Sequence, residues 1–190
     1  MVYKAVVIGA SSGGLFALST VLSALPAGFP VPIVVVLHLG PHAESFAAEH
    51  LRGLCLLTVK EAQEKEALLP GTVYIAPPGY HLLVEEDRTF SLSTEGRVNF
   101  SRPAIDPLFE TAAEAYCEGL VGVILTGASC DGAKGLCRIK ALGGLAVVQE
   151  PDGAAASRMP KAAIASASVD RVLALAAIGP FLRRIVKRGK

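Results

Sequence analysis

The chain has 190 residues, 52% of them hydrophobic, and a formal net charge of +1. That length supports one sizeable α/β domain over residues 1–190, and so apolar a composition fits a parallel sheet covered on both faces. The near-zero charge gives no electrostatic case for nucleic acid. The four cysteines, Cys55, Cys117, Cys130 and Cys137, form no C-x-x-C pair and read as reduced thiols of a cytoplasmic chain, not as a disulfide frame or zinc site.

The chain opens with a β-branched run that predicts a strand over Tyr3–Ile8. It is followed by Gly9-Ala10-Ser11-Ser12-Gly13-Gly14 and a helical spacing of apolar residues over Gly14–Ala24. Ile33–Leu37 is a second strand. No Asp, Glu, Lys or Arg occurs between Lys4 and Glu44, a weak likeness to a signal peptide or a membrane span. The Ser-Gly turn and Pro26, Pro30 and Pro32 interrupt it, however. No apolar run reaches the roughly 20 residues a span needs, so no membrane insertion is expected.

A helix is predicted at about Ala43–Leu54, then a strand-like piece at Leu57–Lys60 and a strand over Gly71–Ala76, ended by Pro77-Pro78-Gly79. His81–Ser93 alternates around Glu85-Glu86-Asp87-Arg88 and reads as an antiparallel hairpin with a charged turn. Ile105–Cys117 is predicted helical, with Asp106 as its cap and Pro107 at its first position. Leu120–Leu125 (strand), Ala133–Leu142 (helix), Leu145–Gln149 (strand) and two helical segments follow, and Lys187–Lys190 form a basic, frayed tail. Strands alternating with helices predict a doubly wound, mostly parallel sheet with helices on both faces and one small antiparallel hairpin.

Ligands of such sheets bind at the carboxyl ends of the strands. Three of those ends carry reactive side chains: Ser11, His38 directly after Leu37, and Asp131 in the loop after Leu125. Gly9-x-Ser11-x-Gly13 has the pattern of a nucleophile elbow. His38 would take the Ser11 proton, and Asp131 would hold and stabilise the imidazole. Each residue also has an ordinary reading, as a turn serine, a surface histidine or a helix cap. Their shared rim is what favours the triad. The order Ser-His-Asp differs from that of the α/β-hydrolases.

Other readings are weaker. His38 and His42 lie four apart, but Gly40 and Pro41 intervene and no further ligands are evident, so the sequence calls for no metal. Cys130 has nothing beside it to mark a thiolate, His50 reads as a helix-surface residue, and His81 is expected to pack near the hairpin. The Gly-rich loop could cradle a phosphate. Against that, Ser11 takes the place of the middle glycine of the dinucleotide fingerprint, and the second strand ends in His38 where an acid is needed. No cofactor is implied.

With these residues in place, the chain resembles the catalytic domain of the CheB-type chemotaxis receptor methylesterases. The likeness runs through Ile8–Gly14, His38, Ser45-Phe46-Ala47, Leu69-Pro70-Gly71, Val73–Pro77 and His81. It continues through Arg102–Phe109, Leu125-Thr126-Gly127, Asp131-Gly132-Ala133 and Met159-Pro160. The resemblance implies the triad Ser11, His38 and Asp131, with backbone N–H groups near Ser12 and Ala128 holding the oxyanion. It also implies hydrolysis of glutamate methyl esters on chemoreceptor helices with release of methanol, and deamidation of certain receptor glutamines. Where the family typically has Thr-Gly-Met-Gly this chain has Thr126-Gly127-Ala128-Ser129, and a positive φ at Ser129 would be strained. Leu37-His38-Leu39-Gly40 replaces Gln-His-Met-Pro, and Glu44 stands at a position that is commonly basic. The chain starts at the first catalytic strand without a receiver domain, so a separate regulatory partner is one expectation. The alternative is a catalytically weak module of the same fold that binds a receptor or signalling partner.

Overall fold

The computed structural model describes residues 2–38 and 44–186. His42, the Gly40-Pro41 step, the predicted start of a helix at Ala43 and the tail Lys187–Lys190 lie outside these residues.

Seven parallel strands form one sheet: β1 (Ala5–Ala10), β2 (Ile33–Leu37), β3 (Thr58–Glu61), β4 (Thr72–Ile75), β7 (Leu120–Ile124), β8 (Leu145–Gln149) and β9 (Arg171–Leu173), in the order β3-β4-β2-β1-β7-β8-β9. β5 (His81–Val84) and β6 (Phe90–Ser93) make the expected antiparallel hairpin, with Val84 opposite Phe90.

Strand alternation divides the core between the two faces of the sheet. Val6, Ile8 and Ala10 of β1 face the helices α1 (Gly14–Ser23), α2 (Glu44–Arg52) and α6 (Leu175–Ile185) through Leu18, Leu22, Leu51 and Leu182. Ala5 and Val7 face the other way. There they meet α3 (Ile105–Tyr116), α4 (Ala133–Ala141), α5 (Arg158–Ser166) and the hairpin, through Phe109, Ile139, Met159 and Phe90.

Three details differ from the sequence reading. β1 runs to Ala10, held there by His38 N donating to Ala10 O at 2.9 Å and Leu125 N donating to Gly9 O at 2.9 Å. β9 lies between the two C-terminal helices. It is a three-residue edge strand with exposed Arg171 and Val172, too short to read as a strand from its pattern. In α3, Ala104 occupies the cap position, Asp106 is the second helical residue and Pro107 the third.

The chain passes from β1 to β2 on one side and enters β7 on the other. The order of connection therefore reverses between β1 and β7, which is where a doubly wound sheet opens a crevice at its carboxyl edge.

Candidate active site

Ser11 stands at that crevice. β1 and β2 pair in register through Ala10 and Leu37, so the next residues on the two strands, Ser11 and His38, leave the sheet side by side. Ser11 N donates to Thr126 O at 2.9 Å, and Gly14 N donates to Ser11 O at 2.6 Å, closing a tight turn into α1. Gly13 makes the turn possible. Its φ is +77°, and an added Cβ would lie 2.5 Å from the Ala155 methyl. Ser11 is half-buried, and its hydroxyl takes no hydrogen bond among the described residues.

Asp131 is fully buried, and its Oδ2 lies 2.9 Å from Nε2 of the largely buried His38. The approach is too bent for an in-line hydrogen bond, a looseness common in sites that tighten only around substrate. Nε2 is therefore the ring nitrogen that faces the acid, and Nδ1 is the one that does not. The carboxylate is otherwise fully engaged. Oδ2 accepts from Ile105 N at 2.6 Å, and Oδ1 accepts from Asn99 Nδ2 at 2.7 Å, Gly132 N at 3.0 Å and Asp106 N at 3.2 Å. Asp131 thus serves the N-terminus of α3, where free N–H groups and the helix dipole favour an anion.

Burial alone would raise the Asp131 carboxyl. The contacts with His38, the Ile105 N–H and the Asn99 amide outweigh it and hold the group below the usual carboxylate range. The unfolded chain then takes up this proton at a pH where the folded protein has not. The resulting stabilisation is complete above the unfolded value of about 4 and is lost as pH falls through the lower folded value. Urea unfolding measured from pH 5 downward should show a decline in wild-type stability that Asp131→Asn lacks in part. Equal slopes in the two proteins would contradict this.

Asp106, expected to cap its own helix, instead reaches across to α4. Its Oδ1 accepts from Gly135 N at 2.8 Å and its Oδ2 from Asn99 Nδ2 at 2.8 Å. Burial raises its carboxyl, the Gly135 N–H opposes that shift, and the neighbouring Asp131 charge adds to it. A single amide, Asn99, therefore bridges both buried acids.

Among the N–H groups left free at the rim are those of Ser12 and Ala128. Neither Ser12 N nor Ala128 N donates a hydrogen bond among the described residues, and both residues are exposed. Thr126 ties their loops together. Its hydroxyl donates to Ser12 O at 2.8 Å and accepts from Ala156 N at 2.8 Å, while its backbone N donates to Gln149 Oε1 at 2.9 Å. Ser129 is not among the residues with positive φ, so the strain that a positive φ would bring there is absent. Its hydroxyl accepts from Asp131 N at 3.3 Å, which fits an ordinary serine turn.

A sequence model of the CheB methylesterase family matches residues 6–182. The chain belongs to that family. It is similar to the putative protein-glutamate methylesterase/protein-glutamine glutaminase of Leptospira interrogans, with 53% identity across 97% of this chain and 96% of that protein. It is also similar to the protein-glutamate methylesterase/protein-glutamine glutaminase of Thermotoga maritima, at 39% identity across 90% of this chain and 50% of that one. The crystal structure of the Thermotoga maritima CheB methylesterase catalytic domain superposes with a TM-score of 0.93 at 38% identity, covering 98% of this chain and all of that one. The chain thus spans nearly the whole of the Leptospira relative and about half of the Thermotoga protein.

Within this CheB fold, the residues that the sequence reading missed are those that hold the acid and the loops: Asn99, the N-terminus of α3, Thr126 and Gln149. Thr126 lies inside a matched motif, but Asn99 sits in an unremarkable polar stretch with no motif to mark it. His81, expected near the hairpin, opens β5 and is buried. Its ring accepts from Ala104 N at 3.2 Å through Nδ1 and bonds Gly96 O at 3.0 Å through Nε2. His50 lies half-buried on α2. Among the described residues no group of three or more His, Cys, Asp or Glu could hold a metal ion, and no helix is long and apolar enough to cross a membrane.

Proposed function

We propose that this chain is a cytoplasmic serine hydrolase that removes methyl esters from glutamate side chains of chemoreceptor helices, releasing methanol, and that it also deamidates receptor glutamines. The observation that carries the reading is the buried Asp131 carboxylate against His38, on the strand end beside Ser11. The names of the similar proteins, each a protein-glutamate methylesterase/protein-glutamine glutaminase, support the choice of substrate.

Ser11 Oγ attacks the ester carbonyl carbon while His38 takes the hydroxyl proton through Nδ1. Asp131 stabilises the imidazolium and keeps its orientation. The carbonyl oxygen becomes an oxyanion within reach of the Ser12 and Ala128 N–H groups, donors of a kind worth about 3 kcal/mol each. The tetrahedral adduct collapses as the C–O bond to the methoxy group breaks, and the methoxy oxygen takes the proton from His38 and leaves as methanol. Water then attacks the glutamyl ester on Ser11 by the same route in reverse, freeing the glutamate carboxylate and regenerating the serine. With a glutamine substrate the leaving group is ammonia. A methyl ester is a small group on a large protein surface, which suits a shallow rim better than a deep pocket.

The test is to incubate the purified chain with receptor membranes whose glutamates carry labelled methyl groups and to collect volatile methanol. Release in proportion to enzyme is expected. Receptors that keep their label at high enzyme concentration would overturn the reading.

A further inference from the structure

We infer that Phe100 is a docking side chain that receives an apolar residue of the substrate helix next to the esterified glutamate. The inference rests on the proposed function above. Val98 N donates to Ser101 O at 3.2 Å and Ser101 N donates to Val98 O at 2.9 Å, which closes a turn with Asn99 and Phe100 at its tip. Both tip residues have positive φ, 49° at Asn99 and 66° at Phe100, as in the mirror-image hairpin turns. Asn tolerates this conformation. The second position is ordinarily glycine, and a bulky aromatic there costs stability.

Burial gives nothing back, because Phe100 is 95% exposed. Nor is the exposure a consequence of a loose loop. The Arg102 guanidinium donates to Thr94 O at 2.7 Å and to Glu95 O at 2.9 Å. His81 Nε2 bonds Gly96 O at 3.0 Å, and the Asn99 amide is fixed on Asp131 and Asp106. A strained residue held in place by its surroundings points to a function outside the folded chain. The place of that function is argued from adjacency in the chain: Asn99 holds the acid that contacts His38, and Phe100 is the exposed residue directly after it. An apolar ring there matches a protein substrate. On a helix, residues three or four positions from the esterified glutamate share its face, and one of these would cover the ring when the glutamate reaches Ser11. A free glutamate ester has no such residue.

Two variants of the full chain test this, Phe100→Gly, which relaxes the turn, and Phe100→Trp, which keeps an apolar ring. Phe100→Gly should raise KM for methylated receptor about ten-fold, the loss typical of an exposed aromatic anchor, while its thermal midpoint holds or rises. Phe100→Trp should keep KM within about two-fold of wild type, on the same scale for retained apolar contact. A second readout is free of turnover: co-sedimentation with receptor membranes in a Ser11→Ala background, where Phe100→Gly should bind about ten-fold more weakly. Unchanged KM and unchanged sedimentation in Phe100→Gly would overturn the inference. Weakened sedimentation with no methanol release by wild type would uphold the docking role and overturn the esterase reading instead.

Discussion

Replacing Ser11 with alanine is expected to lower methanol release from methylated receptor by about 10⁴-fold or more, as loss of the nucleophile does in serine hydrolases. In the proposed mechanism the Oγ is the atom that forms the covalent bond, and among the described residues no other hydroxyl shares its position at the end of β1. Ser12 is exposed on the turn, and the Thr126 hydroxyl is occupied by Ser12 O and the Ala156 N–H. Folding should be untouched. Ser11 Oγ takes no hydrogen bond among the described residues, and what fixes the turn is its backbone, through Thr126 O and Gly14 N. The change in unfolding free energy should stay within about 0.5 kcal/mol. The two measurements are methanol release and a thermal melt followed by circular dichroism. A variant that folds and keeps a tenth of the activity would exclude Ser11 as the nucleophile.

The second large effect is expected at Asp131→Asn. The amide has the shape of the carboxylate but neither its charge nor its acceptor capacity. Without the charge the His38 imidazolium loses its partner at 2.9 Å, and the ring tautomer that leaves Nδ1 free to accept the serine proton is no longer favoured. By analogy with the same substitution in a chymotrypsin-type triad, kcat should fall about 10⁴-fold. Stability should suffer as well, unlike at Ser11. The donors aimed at this side chain include the N–H groups of Ile105 and Asp106 and the Asn99 amide, and an amide nitrogen turned toward any of them leaves a buried donor unpaired, at about 1–3 kcal/mol. Activity and urea unfolding should therefore both drop, and raising the pH should not restore kcat. A loss of activity smaller than ten-fold would remove Asp131 from the mechanism.

The contrast between the two variants follows from where each residue sits. Ser11 stands on a turn whose geometry is carried by backbone and glycine. Asp131 is woven into the junction of α3, α4 and the Val98–Ser101 turn. Its position depends on Asp106 and Asn99 as much as on its own loop, so a change there reaches both the chemistry and the packing.

Much of this arrangement was legible in the chain itself. Short β-branched runs such as Ile33–Leu37 and Leu120–Leu125 read as buried strands, and strands alternating with helices leave a parallel sheet as the natural outcome. A parallel sheet puts every strand's carboxyl end on one edge. That puts Ser11 and His38 on one rim, while their place side by side comes from β1 running on to Ala10 and pairing in register with β2, which only the structure shows. Gly13 and Gly14 likewise announce a tight turn, because only small residues clear Ala155, Leu37 and Ala10 there.

Tertiary structure alone decided how the acid is held. Asn99 is 32 residues from Asp131 in sequence, and the Ile105 N–H is 26 away. No local pattern records such contacts, because they depend on how the amino end of α3 packs against the carboxyl edge of the sheet. The same packing turned Asp106 from the cap of its own helix into an acceptor for α4. Spacing and hydropathy act along the chain and so determine which elements form and which residues end them. Buried hydrogen bonds between distant segments form only once those elements have docked, and they decide which groups hold the reacting side chains in place.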